Sequence, residues 1–305
     1  MTRRAMLALM GAALGRAAAR LPANRNVKWG LGSNLWNSFP GSTFTDILDL
    51  MRDTGFIGLR LTQFPQILKT YNISAKQMHD EASKRGCQIA TISFNGPAQD
   101  AARRAEMVAS ARAAMEFLKE FGARHLVVFS PNRSLGKTDG AFQAMCESFN
   151  EIGRAAGEMG FRAGLHNHIG QMVQTPEELD RCMRLTDPKL FHFSPDTAHL
   201  HLAGFEVSKT LDRYKDRLML ADYKDAKRPP SQLGLASSQG DTFDRNTIFD
   251  LGDGEIDFRA CHRVLQSMGY QGWLIVDLDI ARQGPLASYQ RCGSYVVDAL
   301  EPVYV

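Results

Sequence analysis

The sequence predicts an α/β fold, a (β/α)8 TIM barrel, on three observations. Amphipathic stretches end in glycine and give way to β-branched or aromatic runs, as in Thr54-Gly55-Phe56-Ile57, Gly86-Cys87-Gln88-Ile89, Phe121-Gly122-Ala123, Met159-Gly160-Phe161 and Met268-Gly269-Tyr270. Glycine tolerates the left-handed backbone that closes a helix, so each instance marks a helix-to-strand junction. The first four glycines lie 31, 36 and 38 residues apart, a regular βα period. Polar, chemistry-bearing side chains gather where the strands end, the face on which barrels keep their reactive groups. An open doubly wound sheet is the competing arrangement of the same alternation.

Taken in order, the expected strands are 27–35, 56–61, 88–94, 125–129, 163–167, 190–196, 218–222 and 273–278. Helical spacing of apolar residues fills 101–121. Thr175-Pro176-Glu177-Glu178 reads as a capping box with proline at the first helical position, opening a helix that runs to Leu185. Asp257, ahead of Phe258-Arg259-Ala260, reads as another helix cap. Residues 226–250, containing Arg228-Pro229-Pro230 and Gly240, form a connection longer than βα loops usually are, which suits a lid or an oligomer contact. Residues 24–305 thus read as a single domain.

Residues 1–23 read differently. A twin arginine, Arg3-Arg4, precedes an uncharged run from Ala5 to Gly15, and small residues come after it around Ala19 and Ala23. That pattern describes an export signal of the twin-arginine type and a periplasmic protein, with a cytosolic amphipathic helix as the alternative. No run is long and apolar enough for a membrane span. The chain of 305 residues carries a net charge of +3, but Arg3, Arg4, Arg16 and Arg20 supply that surplus, and the remaining body is near neutral. Nucleic-acid binding, which needs clustered basic residues, finds no support. Five scattered cysteines without a C-x-x-C pair form neither a zinc nor a disulfide framework and read as buried free thiols.

The strongest groups sit at the ends of the last four strands. They are His166 and His168 flanking Asn167; Asp196 followed by His199 and His201; Asp222, Lys224 and Asp225; and Asp277 with Asp279. Alternation puts His166 and His168 on one side of their strand. Here the chain resembles the sugar phosphate isomerase/epimerase family of xylose isomerase-like TIM barrels, especially its inosose isomerase and inosose dehydratase branches. The resemblance rests on His166-Asn167-His168, Asp196-Thr197-Ala198-His199, Asp222-Tyr223-Lys224-Asp225, Leu251-Gly252-Asp253-Gly254-Glu255-Ile256-Asp257-Phe258 and Tyr270-Gln271-Gly272-Trp273-Leu274-Ile275-Val276-Asp277, in order along the barrel.

The resemblance implies a divalent metal held from strands five to eight. The family's Glu, Asp, His and Glu correspond here to His166, Asp196, Asp222 and Asp277. Three carboxylates and one imidazole suit Mn²⁺ or Mg²⁺ first, with Co²⁺ or Zn²⁺ as alternatives. It also implies proton transfer next to a carbonyl, with catalytic roles falling on His166, Asp277, Lys224 and His199. Asn34, Trp36, Arg60, Asn95, His168, Asp225 and Arg282 are expected to meet the substrate, Asp225 by orienting Lys224.

The expected activity is that of an isomerase or epimerase on a sugar, keto-sugar or inosose. The alternatives are a lyase of the same fold, acting on an inosose or a 3-keto sugar, and a sugar-binding barrel without catalysis. An apurinic-site endonuclease lacks both the larger ligand set and the basic face it needs. The expected partner is a small-molecule sugar, without nucleic acid or membrane, and a homo-oligomer is compatible with the long loop.

Overall fold

The computed structural model describes residues 19–136, 138–228 and 243–304. Eight barrel strands run in chain order: β1 Lys28–Gly32, β2 Gly58–Leu61, β3 Gln88–Phe94, β4 His125–Phe129, β5 Arg162–His166, β6 Phe191–Phe193, β7 Ala221–Tyr223 and β8 Trp273–Val276. Neighbours pair in parallel, and β1 lies between β2 and β8, which in turn pairs with β7. The ring closes between β6 and β7, where Met219 N donates to Phe193 O and Asp222 N to Pro195 O, both at 2.8 Å. Closure decides for the barrel over the open sheet.

All five junction glycines have positive φ, between 64° and 76°, as helix-ending residues need. The helix Pro176–Leu185 carries the expected capping box between Thr175 and Glu178. Asp257 caps the helix Phe258–Ser267 by accepting from Ala260 N. Five strands, β1, β2, β6, β7 and β8, are shorter than the sequence suggests, β1 and β6 by the most. After Gly32 the chain turns into a 3-10 helix, Asn34–Ser38. After Phe193, Pro195 brings no N–H to a ladder and Asp196 already caps the next helix, so β6 stops early.

Along β8, successive inward positions change character. A Cβ on Gly58 would lie 2.3 Å from the Trp273 ring, and one on Gly30 would lie 2.8 Å from Ile275 Cδ1. The two glycines therefore make room for Trp273 and Ile275, which join Ala90, Val127, Met219 and Leu220 in an apolar cluster separate from the main core. Two residues further, at the same inward register, stands Asp277. Packing fills one end of the barrel; charge fills the other.

The long connection after β7 begins with Asp225–Ala226 paired antiparallel to Ile248–Phe249. At the other extreme of the chain, Arg20 pairs with Asp298 at 2.5 Å, and Ala23 N donates to Glu301 Oε1 at 2.6 Å. Most of the expected export signal, residues 1–18, and the 229–242 part of the long loop lie outside the described residues. Among the described residues no helix is long and apolar enough to cross a membrane. All five cysteines are buried and free.

Candidate active site

The site is built where β5 to β8 end. Asn167, just past β5, holds the neighbouring segment by accepting from Asp196 N at 3.0 Å and donating to Asp196 O at 3.3 Å. Asp196 caps the helix Thr197–Leu202, its Oδ1 accepting from Ala198 N at 2.9 Å and His199 N at 3.1 Å. Capping fixes the carboxylate and leaves its second oxygen, Oδ2, without a hydrogen bond among the described residues. Thr197 Oγ1 then donates to Lys224 O at 2.8 Å, which locks the end of β6 to the end of β7.

Inside this frame lies a cluster of charges almost wholly removed from solvent: Arg60, His166, Asp196, His199, Asp222, Lys224 and Asp277 are all buried. Lys224 Nζ is 2.6 Å from Asp277 Oδ2, 2.8 Å from Asp279 Oδ2 and 3.4 Å from Asp196 Oδ2. Arg60 Nη2 is 2.9 Å from Asp277 Oδ1, and its Nη1 is 3.3 Å from Asp222 Oδ2. His166 Nδ1 is 3.3 Å from Asp222 Oδ2, while His166 Nε2 and His199 Nε2 are each 3.8 Å from Asp196 Oδ2.

Four carboxylates thus face two permanent cations, and the imbalance appears in their proton affinities. Burial pushes Asp196 up to about 6, against the pull of Lys224. Burial also raises Asp222 well above the usual carboxylate range, although Arg60 opposes it. Asp277 runs the other way: Lys224 and Arg60 together overcome its burial and hold it below that range. Burial and the neighbouring cations keep His166 and His199 neutral, and hold His168 down to about 4.

A divalent cation fits this arrangement. His166, Asp196 and Asp222 offer ligand atoms that all lie within 4.8 Å of one another. His166 Nδ1, Asp196 Oδ2 and both Asp222 oxygens are buried without a hydrogen-bond partner among the described residues. Orphaned buried acceptors are costly, and a cation removes that cost while closing the charge deficit.

Of the residues expected at the site, His166, His168, Asp196, His199, Asp222, Lys224 and Asp277 come together. His168 packs against His199 with ring centroids 3.6 Å apart and the rings tilted by 38°. Asn34 reaches the edge, donating to Asp279 Oδ1 at 2.9 Å. Arg60 is held inside the ion pairs, with a further hydrogen bond to Ser93 Oγ at 3.1 Å.

Four other expected residues are placed as follows. Trp36 lies in the 3-10 turn and stacks on Tyr289, centroids 5.9 Å apart. Asn95 is exposed beyond β3. Arg282 donates to Asn246 O and Ile248 O over the Phe249 ring. Asp225 does not orient Lys224: its carboxylate accepts from the amides of Ala226, Gly252, Gly254 and Ile256. That cradle gives the Leu251-Gly252-Asp253-Gly254 motif its purpose, since a Cβ on Gly254 would sit 2.0 Å from Asp225 Oδ1. His201 is hydrogen-bonded to Glu255 at 3.1 Å.

Two aromatic residues escaped sequence reasoning. Phe243 packs over His199, centroids 4.7 Å apart, and lies 5.9 Å from Lys224 Nζ. Phe129 backs His166 at 4.2 Å. Phe129 ends its strand at inward register and could have been found by alternation; Phe243, in a long loop, carries no such signal.

Among proteins of known activity, the inosose dehydratase of Bacillus licheniformis is 34% identical over 146 residues, 47% of this chain. The chain spans about half the length of that relative, 48%. The inosose dehydratase of Geobacillus kaustophilus is 26% identical over 264 residues, covering 81% of this chain and 82% of the relative. Among solved structures, the IOLI protein with a bound zinc atom superposes with a TM-score of 0.72 at 15% identity, covering 90% of this chain and 99% of that one, a likeness of fold. The family described as xylose isomerase-like TIM barrel matches residues 44–291. With that match spanning all but the first of the eight strands, the chain belongs to the xylose isomerase-like TIM barrel family.

Proposed function

We propose that the chain is a divalent-metal-dependent carbon–oxygen lyase that dehydrates a polyhydroxylated ketone of the inosose or 3-keto-sugar class. The observation that carries the reading is the buried cluster itself, in which orphaned ligand atoms, a neutral imidazole and an ammonium group converge at the C-terminal end of the barrel. His166, Asp196 and Asp222 would hold the cation, which would supply Lewis acidity to the substrate's carbonyl.

The chain's own residues supply the proton transfers. His199 is neutral and buried, and neither of its ring nitrogens has a hydrogen-bond partner among the described residues, so it can accept the proton from the carbon next to the carbonyl. Asp196, 3.8 Å from His199 Nε2, steadies the imidazolium that forms. Lys224 sets a fixed positive charge against the developing oxyanion, in a site shielded from water. In the elimination a C–H and a C–O bond break, a C=C bond forms, and the departing hydroxide takes up the proton that His199 accepted and leaves as water, which returns His199 to its neutral form.

The isomerase or epimerase activity expected from sequence shares the first proton abstraction and differs in the second step, where the proton returns to carbon. Elimination is preferred because the sequence relatives are dehydratases. The test is incubation of the Mn²⁺-loaded protein with an inosose and a panel of 3-keto sugars in D2O, with NMR and mass spectrometry as readouts. Loss of one water from the substrate is the expected result. Deuterium at carbon with every oxygen retained would move the chain to the isomerases and epimerases. Neither exchange nor elimination on any member would overturn the enzymatic reading and leave the sugar-binding barrel.

A further inference from the structure

The strand-eight carboxylate is held unlike the other carboxylates that point into the barrel. Both Asp277 oxygens are in close contact with a cation, Oδ1 with Arg60 Nη2 at 2.9 Å and Oδ2 with Lys224 Nζ at 2.6 Å. Among the described residues, Asp222 and Asp196 have no Lys or Arg nitrogen closer than 3.3 and 3.4 Å. The potential ligand atoms that lie within 4.8 Å of one another belong to His166, Asp196 and Asp222, and Asp277 stands outside that set.

The surroundings of Asp277 are shaped to keep it there. A Cβ on Gly32 would lie 1.9 Å from Asp277 Oδ1, so the carboxylate occupies space that only a glycine at the end of β1 leaves open. That space lies toward β1 and β2, while the His166, Asp196 and Asp222 group belongs to the β5 to β7 side. Arg60 is anchored independently by Ser93 Oγ at 3.1 Å, and Lys224 by Asp279 at 2.8 Å, so neither cation depends on Asp277 alone for its place.

We propose that Asp277 is a positioning residue for Lys224 and Arg60 and not a metal ligand, so that His166, Asp196 and Asp222 are the whole protein ligand set. The proposal rests on the metal-dependent reading of the site. An aspartate, one methylene shorter than a glutamate, suits this place: it reaches the two cations and stops short of the ligand group. Three protein ligands leave about half the positions of a six-coordinate ion to water and substrate oxygens, more than a four-ligand set would. Lys224 then owes its alignment over the substrate to Asp277 and Asp279.

The test is calorimetric titration of Mn²⁺ into the metal-free full-length protein and its variants, with the Mn²⁺-induced rise in Tm as a second readout. Asp277→Asn should bind Mn²⁺ within about 3-fold of wild type, whereas Asp222→Asn should weaken binding by about 100-fold or more. Steady-state kinetics on the inosose or 3-keto sugar that the protein turns over should show kcat falling in Asp277→Asn, with a changed pH profile, at saturating Mn²⁺. Should Asp277→Asn fail to fold because Lys224 is left short of a partner, the double variant Asp277→Asn/Lys224→Met removes one charge of each sign and should still bind Mn²⁺. Loss of Mn²⁺ binding in either folded variant, to the extent seen in Asp222→Asn, overturns the proposal. A wild-type protein that takes up no Mn²⁺ overturns the metal reading itself and this assignment with it, an outcome separate from the first.

Discussion

Asp222 and Asp225 lie three residues apart, both fully buried, and are treated in opposite ways. Asp225 accepts four backbone amides and ties the 251–256 loop to the end of β7. The Asp222 carboxylate accepts no hydrogen bond among the described residues, and its neighbours are an imidazole and a guanidinium, each at 3.3 Å. Folding alone explains Asp225, because a carboxylate met by four donors stabilises the loop it organises. Folding alone does not explain Asp222, which costs stability until something binds it. A buried polar group without partners is the better guide to function than burial or charge by itself.

Four predictions would break or sharpen that contrast. The largest effect belongs to Asp222→Asn, expected to lower Mn²⁺ affinity by about 100-fold or more while the metal-free protein keeps or raises its Tm, since an uncompensated carboxylate is removed. A fall in metal-free Tm would make Asp222 a structural residue like its neighbour. Asp225→Ala should do the reverse, costing about 3 kcal/mol in urea unfolding because four amides lose their acceptor, with Mn²⁺ binding retained. If metal binding vanished and stability held, the two residues would have exchanged roles.

Gly58→Ala, whose methyl would meet the Trp273 ring at 2.3 Å, should cost about 2 kcal/mol through overpacking of the apolar layer and leave Mn²⁺ affinity unchanged. A change in affinity would show the two layers to be mechanically coupled. The smallest effect concerns pH. Burial lowers His262, beside Tyr223 and far from the cluster, to about 4 from an ordinary 6.5. A histidine that is harder to protonate when folded contributes stability above pH 6.5, and that stability is lost as pH falls toward 4. Denaturant titrations of His262→Gln should show about 1 kcal/mol less loss by about pH 5.5 than the wild type, whose other lowered histidines supply the rest.

The fold was largely legible because its signals are local. Helix-ending glycines, a capping box at Thr175 and β-branched runs each act within a few residues, and every one of the five glycines has the backbone it was expected to have. His166, Asp196 and Asp222 were legible as strand-end groups for the same reason. What escaped depends on closure of the ring. β1 lies beside β8 although some 240 residues separate them, so nothing near Asp277 in sequence announces that Arg60 and the gap at Gly32 will receive it. The claim on Asp225 was hidden likewise, because three of the four amides that meet its carboxylate come from a loop beyond the 229–242 stretch. Trp36 was misplaced by reading β1 three residues too long, when the chain had already turned into a 3-10 helix.

Where a cation sits among these carboxylates decides which of them are ligands, and anomalous X-ray diffraction from crystals soaked in Mn²⁺ tests that most directly. The predicted result is one manganese peak bound by His166, Asp196 and Asp222, with Asp277 still against Arg60 and Lys224. A peak bound by Asp277 in place of one of the three, or no peak within the barrel, would contradict it.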